Sequence, residues 1–138
     1  MIFSLPHIPF PPSVNAAYAY SRFKDRMVRS KSHCAYDREF AVWRATHRQL
    51  LREAGNALRG QRLRLDLAFY CSTDTKSGTV RKLDLSNRIK LVEDQLARAL
   101  GIDDSYVFII TAVKRDVPDG VTSRVDAKVR AITSQESA

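Results

Sequence analysis

The sequence predicts an α+β domain, a small mixed β-sheet packed against two main α-helices. Three observations carry that expectation. Apolar residues recur at three- and four-residue steps from Cys34 to Ala54, and again from Ile89 to Leu100, which is the helical period. Between these stretches, residues 61–72 alternate, with Leu63, Leu65, Leu67 and Phe69 on one face and Arg62, Arg64 and Asp66 on the other. That is the period of a strand with one buried side.

Taken in order, the first eight residues read as a short strand. Pro9, Pro11 and Pro12 then enforce an extended segment, because proline fixes φ and brings no N–H. Ser13-Val14-Asn15 follows as a loop. Residues 16–31 interleave Tyr18, Tyr20 and Phe23 with Arg22, Lys24, Arg26, Arg29 and Lys31. Such interleaving suits a hairpin or arm that meets phosphates and stacks on exposed bases; a hairpin whose tyrosines pack on the sheet would read the same way.

The first helix carries Phe40, Trp43, His47, Leu50, Leu51 and Ala54 on its apolar stripe, with Gly55 as its stop. His47, on that stripe, reads as a packed histidine rather than a ligand. Arg44, Arg48 and Arg52 fall on another face, solvated on the simpler reading and tracking a phosphate backbone on the other. Strand 61–72 leads into the polar loop Ser72–Thr79. The second helix begins near Leu85-Ser86, with Ser86 as N-cap, and ends at Leu100-Gly101. Its buried stripe is Ile89, Val92, Leu96, Ala99 and Leu100, opposite Asn87, Lys90, Asp94 and Arg98. Leu91 interrupts the polar side and calls for a cover, such as a second subunit. Strands at about 105–116 and 121–132, joined by a Pro118-Asp119-Gly120 hairpin turn, complete a single domain over 1–133. Residues 134–138 read as a frayed tail.

Composition narrows the class. The chain has 138 residues, 44% of them hydrophobic, enough for one core and not for two. It holds no apolar run of membrane-spanning length, and Met1-Ile2-Phe3-Ser4-Leu5-Pro6 lacks the pattern of a signal peptide, so a cytoplasmic protein is expected. Cys34 and Cys71 have neither disulfide-framework nor zinc spacing and read as reduced, packed thiols. Residues 1–82 hold fifteen Lys and Arg against six Asp and Glu, whereas residues 83–138 hold eight against nine. A basic half beside a slightly acidic one fits a polyanionic partner, nucleic acid first.

The chemistry gathers between Arg81 and Ser105. Asp84 lies just before the second helix, with Asn87 and Lys90 in its first turn and a half, where the helix N-terminus also favours an anion such as a phosphate. An i, i+4 ion pair accounts for Lys90 and Asp94 but not for Asp84 or the Asp103-Asp104 doublet. Acids of this kind in a basic chain suit a hard divalent cation that activates water against a phosphodiester, with a lysine offsetting the developing charge. A helix of this length spans about 21 Å, so Asp103-Asp104 can reach Asp84 only if the sheet or a second subunit brings them together. A Ser/His/Asp hydrolase is disfavoured, because His7, His33 and His47 lie in no nucleophile motif.

At these residues the sequence resembles the RusA family of Holliday junction resolvases. Ile8-Pro9-Phe10-Pro11-Pro12-Ser13-Val14-Asn15 is similar to the family's N-terminal proline-rich signature. Asp84-Leu85-Ser86-Asn87-Arg88-Ile89-Lys90 with Asp94 resembles its central D-x-D-N-x-x-K-x-x-x-D motif, and Gly101-Ile102-Asp103-Asp104-Ser105 its acidic doublet before a strand. The resemblance implies a homodimeric, RusA-like fold, paired Mg²⁺-dependent cuts in four-way DNA junctions, with Mn²⁺ as the alternative ion, and a bacterial or prophage source. By position, Asp84 and Asp104 would be catalytic metal-binding acids and Lys90 the catalytic lysine. Asn87 would orient the site, with Asp94, Asp103 and Ser86 in its metal-binding surroundings. DNA contacts would come from Asn15, Tyr18, Tyr20, Arg22, Lys24, Arg26, Arg29, Lys31, Arg81 and Lys82. Ser86 stands where the motif has its second acid; a hydroxyl brings no negative charge, which opens the alternative of a branched-DNA-binding accessory protein with weak or no catalysis.

Overall fold

Residues 63–71 alternate without a break, and the chain folds them into the strand around which the domain is built. The computed structural model describes residues 1–12, 18–21, 26–118 and 120–136. Among them are strands β1 (Ile2–Pro9), β2 (Tyr18–Ser21), β3 (Arg26–Arg29), β4 (Leu63–Cys71), β5 (Val107–Asp116) and β6 (Arg124–Ala131). The helices are α1 (Lys31–Thr46), α2 (Arg48–Leu58) and α3 (Ser86–Leu100), and a 3-10 turn covers Asp104–Tyr106. A four-stranded sheet runs in the order β1-β6-β4-β5, and β2-β3 form a separate antiparallel pair.

The sheet is mixed. β4 pairs in parallel with β5, joined across α3, and antiparallel with β6. One face is covered by the helices: Leu63, Leu65, Leu67 and Phe69 of β4 meet a core that includes Phe40, Trp43, Leu51, Leu58, Val92, Leu96 and Leu100. The other face is polar and half-buried, with Arg64 donating to Asp66 at 3.0 Å and Thr111 donating to the same carboxylate.

The α+β expectation holds, with several corrections of detail. The two late strands form no hairpin, because β6 inserts between β1 and β4 while β5 lies on β4's far side. Burial explains the choice: Val125, Ala127 and Val129 of β6 are fully buried and need a central position, whereas Phe108 and Val113 leave β5 exposed enough for an edge. The first helical stretch is two helices. Both the backbone N–H of His47 and its ring Nδ1 reach the Trp43 carbonyl, at 3.0 and 2.8 Å, and the imidazole stacks on the Trp43 ring. A carbonyl only accepts, so Nδ1 carries the proton, and this side-chain bond accompanies the break in a helix with no proline there. Leu91 is half-buried against the core and needs no partner to cover it. Glu136, in the stretch read as a frayed tail, is gripped by Arg130 at 2.6 and 2.8 Å.

β1 solves a problem that its sequence conceals. Leu5 and Ile8, three residues apart, would point to opposite faces of a regular strand, yet both are fully buried. The register slips by one residue between them, with His7 at a φ of 57°. That bulge is held by the Trp43 indole N–H donating to the Pro6 carbonyl at 2.8 Å and by the His7 N–H donating to Asp126 at 3.0 Å.

Gly55 is not a helix stop but an interior residue of α2. A Cβ there would sit 2.3 Å from the Leu100 carbonyl oxygen, so its missing side chain lets α2 close on the end of α3. Helix propensity alone would favour Gly55→Ala by nearly 1 kcal/mol. The backbone overlap outweighs it, and urea unfolding of Gly55→Ala is expected to show a net loss of about 1–3 kcal/mol. An unchanged or raised midpoint would show that the two helices are free to move apart.

Candidate functional site

The site is assembled where α3 begins, at the end of the sheet formed by the last residues of β4 and β5. The segment leading there is folded rather than loose. Gly78 N–H donates to the Thr75 carbonyl at 2.9 Å, Thr75 N–H to Thr79 at 2.8 Å, and Asp74 bridges Val80. Asp116 at the end of β5 pins the turn, accepting from the Thr73 N–H at 3.1 Å and its hydroxyl at 3.0 Å. These bonds, the backbone one foremost, hold the Asp116 carboxyl below the usual carboxylate range.

The turn delivers Val80, Arg81, Lys82, Leu83 and Asp84 to an open cleft of about 530 Å³, closed on its other side by Arg88 of α3 and Lys114 of β5. Four cations and one carboxylate therefore line the same cleft. Asp84 is exposed but well ordered by bonding: Oδ1 accepts from the Ser86 hydroxyl at 2.6 Å and the Ser86 N–H at 2.9 Å, and Oδ2 from the Asn87 amide at 3.0 Å. The Ser86 hydroxyl bond first, then its N–H, lowers the carboxyl below its ordinary value, with Lys114 adding a smaller pull. The N-cap expected of Ser86 is thus corrected. Leu85 occupies the cap position without a side-chain bond, and the Asp84 carboxylate takes the free N–H of Ser86, the first helical residue.

Arg88 and Lys114 were not singled out by sequence reasoning. Arg88 lies within the central motif, four residues from Asp84, and its guanidinium donates to the Asp84 carbonyl at 3.1 Å while stacking over Phe10 at 5.7 Å. Phe10 in turn meets the buried Phe69 edge-on, so the proline-rich segment supports the cleft from below. Lys114 gave no local signal, because only the parallel pairing of β5 with β4 carries it to the cleft.

The remaining expected acids are elsewhere. Lys90 Nζ lies 3.5 Å from Asp94 Oδ1, one turn further along α3, and does not line the cleft. Asp103 accepts from the Ser105 N–H at 2.9 Å and caps the 3-10 turn that Asp104 opens, at the far end of a helix about 22 Å long. Burial first, then Asp104 and Asp94, raise the carboxyl of Glu93, midway along α3, above its ordinary range, so these acids share a second electrostatic neighbourhood. Among the described residues, no three His, Cys, Asp or Glu side chains are grouped to hold a metal ion. Within one chain the expected carboxylates therefore do not fit a divalent cation as a cluster.

Of the expected DNA contacts, Arg81 and Lys82 line the cleft and Lys31 is exposed at the start of α1. Tyr18, Tyr20, Arg26 and Arg29 belong to the β2-β3 pair, and their side chains lie outside the described residues, as do Asn15, Arg22 and Lys24 altogether.

The bonding at Asp84 has a direct test. An NMR titration should place its carboxyl midpoint below the ordinary value of about 3.9, and Ser86→Ala, which removes the largest cause, should raise it towards that value. Since the folded-state value is the lowered one, the associated stability is present above the unfolded-state midpoint and fades as pH falls through the folded one. A midpoint insensitive to Ser86→Ala would show that the hydroxyl bond is not formed in solution.

Among curated proteins no match to the chain is found. The family model described as Endodeoxyribonuclease RusA matches residues 9–130, from the proline-rich segment beneath Arg88 to the end of strand β6. That span covers the Asp84 cleft and most of the chain, and the protein belongs to the RusA endodeoxyribonuclease family.

Proposed function

We propose that the protein is a structure-specific DNA endonuclease that resolves four-way junctions by paired phosphodiester hydrolysis, with the Asp84 cleft as its working centre. The single observation that carries this reading is the family match over residues 9–130. The cleft supports it chemically: Arg81, Lys82, Arg88 and Lys114, which line it together with Asp84, offer cations to a phosphodiester. Ser86 and Asn87 keep that carboxylate ionised and oriented. Mg²⁺, with Mn²⁺ as the alternative, is the cofactor the family implies; among the described residues the acid that lines the cleft is Asp84. On the strength of the motif alone, Asp104 is proposed as the second catalytic acid and Lys90 as the catalytic lysine, with Asn87 orienting the site and Asp103 and Asp94 in support.

A homodimer belongs to the same proposal. A two-fold pair of clefts would suit a junction with approximate two-fold symmetry. Among the described residues β5 ends the sheet with an unpaired edge and exposed Phe108 and Val113, a surface that a second copy can cover. Among the described residues no helix is long and apolar enough to cross a membrane, and a cytoplasmic, bacterial or phage setting is proposed. The β2-β3 hairpin, with Tyr18, Tyr20, Arg26 and Arg29, is proposed as a DNA-contacting arm.

One observation favours a second reading, a branched-DNA-binding accessory protein without strong catalysis. Ser86 replaces an acid and spends its hydroxyl on Asp84. Incubating a labelled immobile four-way junction with Mg²⁺ or with EDTA separates the two. Metal-dependent cutting selects the enzyme, and a shifted but uncut junction selects the binder.

For the enzyme, Asp84→Asn should lower the cutting rate about a hundredfold or more while junction binding persists. Lys114→Ala, which removes a cation from the cleft wall, should weaken binding and cutting together. Wild-type cutting by Asp84→Asn would move the active centre away from the cleft. Sedimentation at micromolar concentration should give about twice the chain mass of 15.6 kDa, and a monomer that still makes paired cuts would contradict the dimer.

A further inference from the structure

A second basic surface lies away from the cleft, on the helical side of the domain. Arg44 of α1 and Arg48 and Arg52 of α2 line one groove of about 430 Å³ with Ala45, Leu51 and Ala99. In a straight helix, residues spaced by four drift about 40° per step around the axis. Here the chain breaks at His47 between the first and second arginine, yet all three face the same groove beside α3. Among the described residues none of the three forms an ion pair. The neighbouring Glu53 is engaged by Gln49 at 3.0 Å.

We infer that this groove is a second phosphate-binding surface, which grips the backbone of a duplex DNA arm entering or leaving the cleft. The inference rests on the nucleic-acid reading above. Three unneutralised guanidiniums in a row complement the regular charge of a phosphate backbone, and successive positions on such a face lie roughly 6 Å apart. The floor of the groove decides between duplex and single strand. Leu51, Ala45 and Ala99 are aliphatic and, among the described residues, no aromatic ring lines the groove, so these offer bases nothing to stack on. Its contacts are with phosphates, which position DNA without reading its sequence.

The test compares junction affinity across a salt series for the wild type, for Arg44→Gln/Arg48→Gln/Arg52→Gln, and for the matching triple lysine variant. If each arginine holds one phosphate, the glutamine triple should lose about 2–3 from the magnitude of the log–log salt slope, roughly 0.9 per contact. Its affinity at ~100 mM salt should fall about tenfold or more. The lysine triple should keep the wild-type slope, because phosphate tracking requires charge rather than the guanidinium fork. A single-stranded competitor should lose less affinity than a duplex of the same length. Thermal unfolding of the glutamine triple should match the wild type; if it does not, the three single variants read the same slope in steps.

A glutamine triple with wild-type slope and affinity, against a wild type that binds junctions, overturns the groove and leaves the nuclease reading standing. Equal losses for single strand and duplex would also overturn it. A wild type that binds no junction at any salt removes the reading on which the groove rests.

Discussion

The burial of one face of α3 against the sheet is the constraint on which the rest of the molecule depends. Val92, Leu96 and Leu100 are buried by it, each contributing about 1.5–3 kcal/mol. Because α3 is also the crossover between the parallel strands β4 and β5, its axis has to run the length of the sheet. Its two ends then have different neighbours. The N-terminal end meets the turn pinned by Asp116 and becomes a cationic cleft around Asp84, while the C-terminal end meets Gly55 and the 3-10 turn. Asp103 and Asp104 follow α3 and do not line that cleft, and no three-acid cluster forms among the described residues.

The cleft is basic by construction. A helix N-terminus leaves N–H groups without partners, and Asp84 satisfies the one at Ser86, which fixes the carboxylate at the mouth of the cleft and keeps it ionised. Arg88 braces the same turn through the Asp84 carbonyl and lies over Phe10, which couples the proline-rich segment to the site through packing on Phe69. Ser86 therefore has a definite structural part where the family motif has an acid. In place of a negative charge its side chain brings one hydrogen bond, from the hydroxyl, which joins the backbone N–H in organising the neighbouring carboxylate.

Charge on this protein is sorted into regions. The clearest basic surfaces are the cleft and the arginine groove across α1 and α2, whereas the polar side of the sheet is largely neutralised internally, through Arg64 with Asp66 and Arg130 with Glu136. Among the described residues, positive charge without an ion-pair partner thus gathers around the cleft and along the helical flank. A branched polyanion larger than the cleft can engage both.

The sequence by itself determined the features that depend on short-range periodicity: the alternation of β4, the apolar stripe of α3, and the left-handed Gly101 that ends it at a φ of 69°. It also located Asp84 and Asn87, because their motif is contiguous. Tertiary structure decided what depends on distant partners. The place of β6 between β1 and β4, the bulge that turns both Leu5 and Ile8 inwards, and the close approach at Gly55 follow from packing that no local window contains. Lys114 reaches the cleft only by strand pairing, whereas Asp104, which opens the 3-10 turn after α3, does not line it. Local periodicity specifies which face of an element is buried, but the partner that buries it, and hence what stands beside each functional side chain, is set by the whole core closing at once.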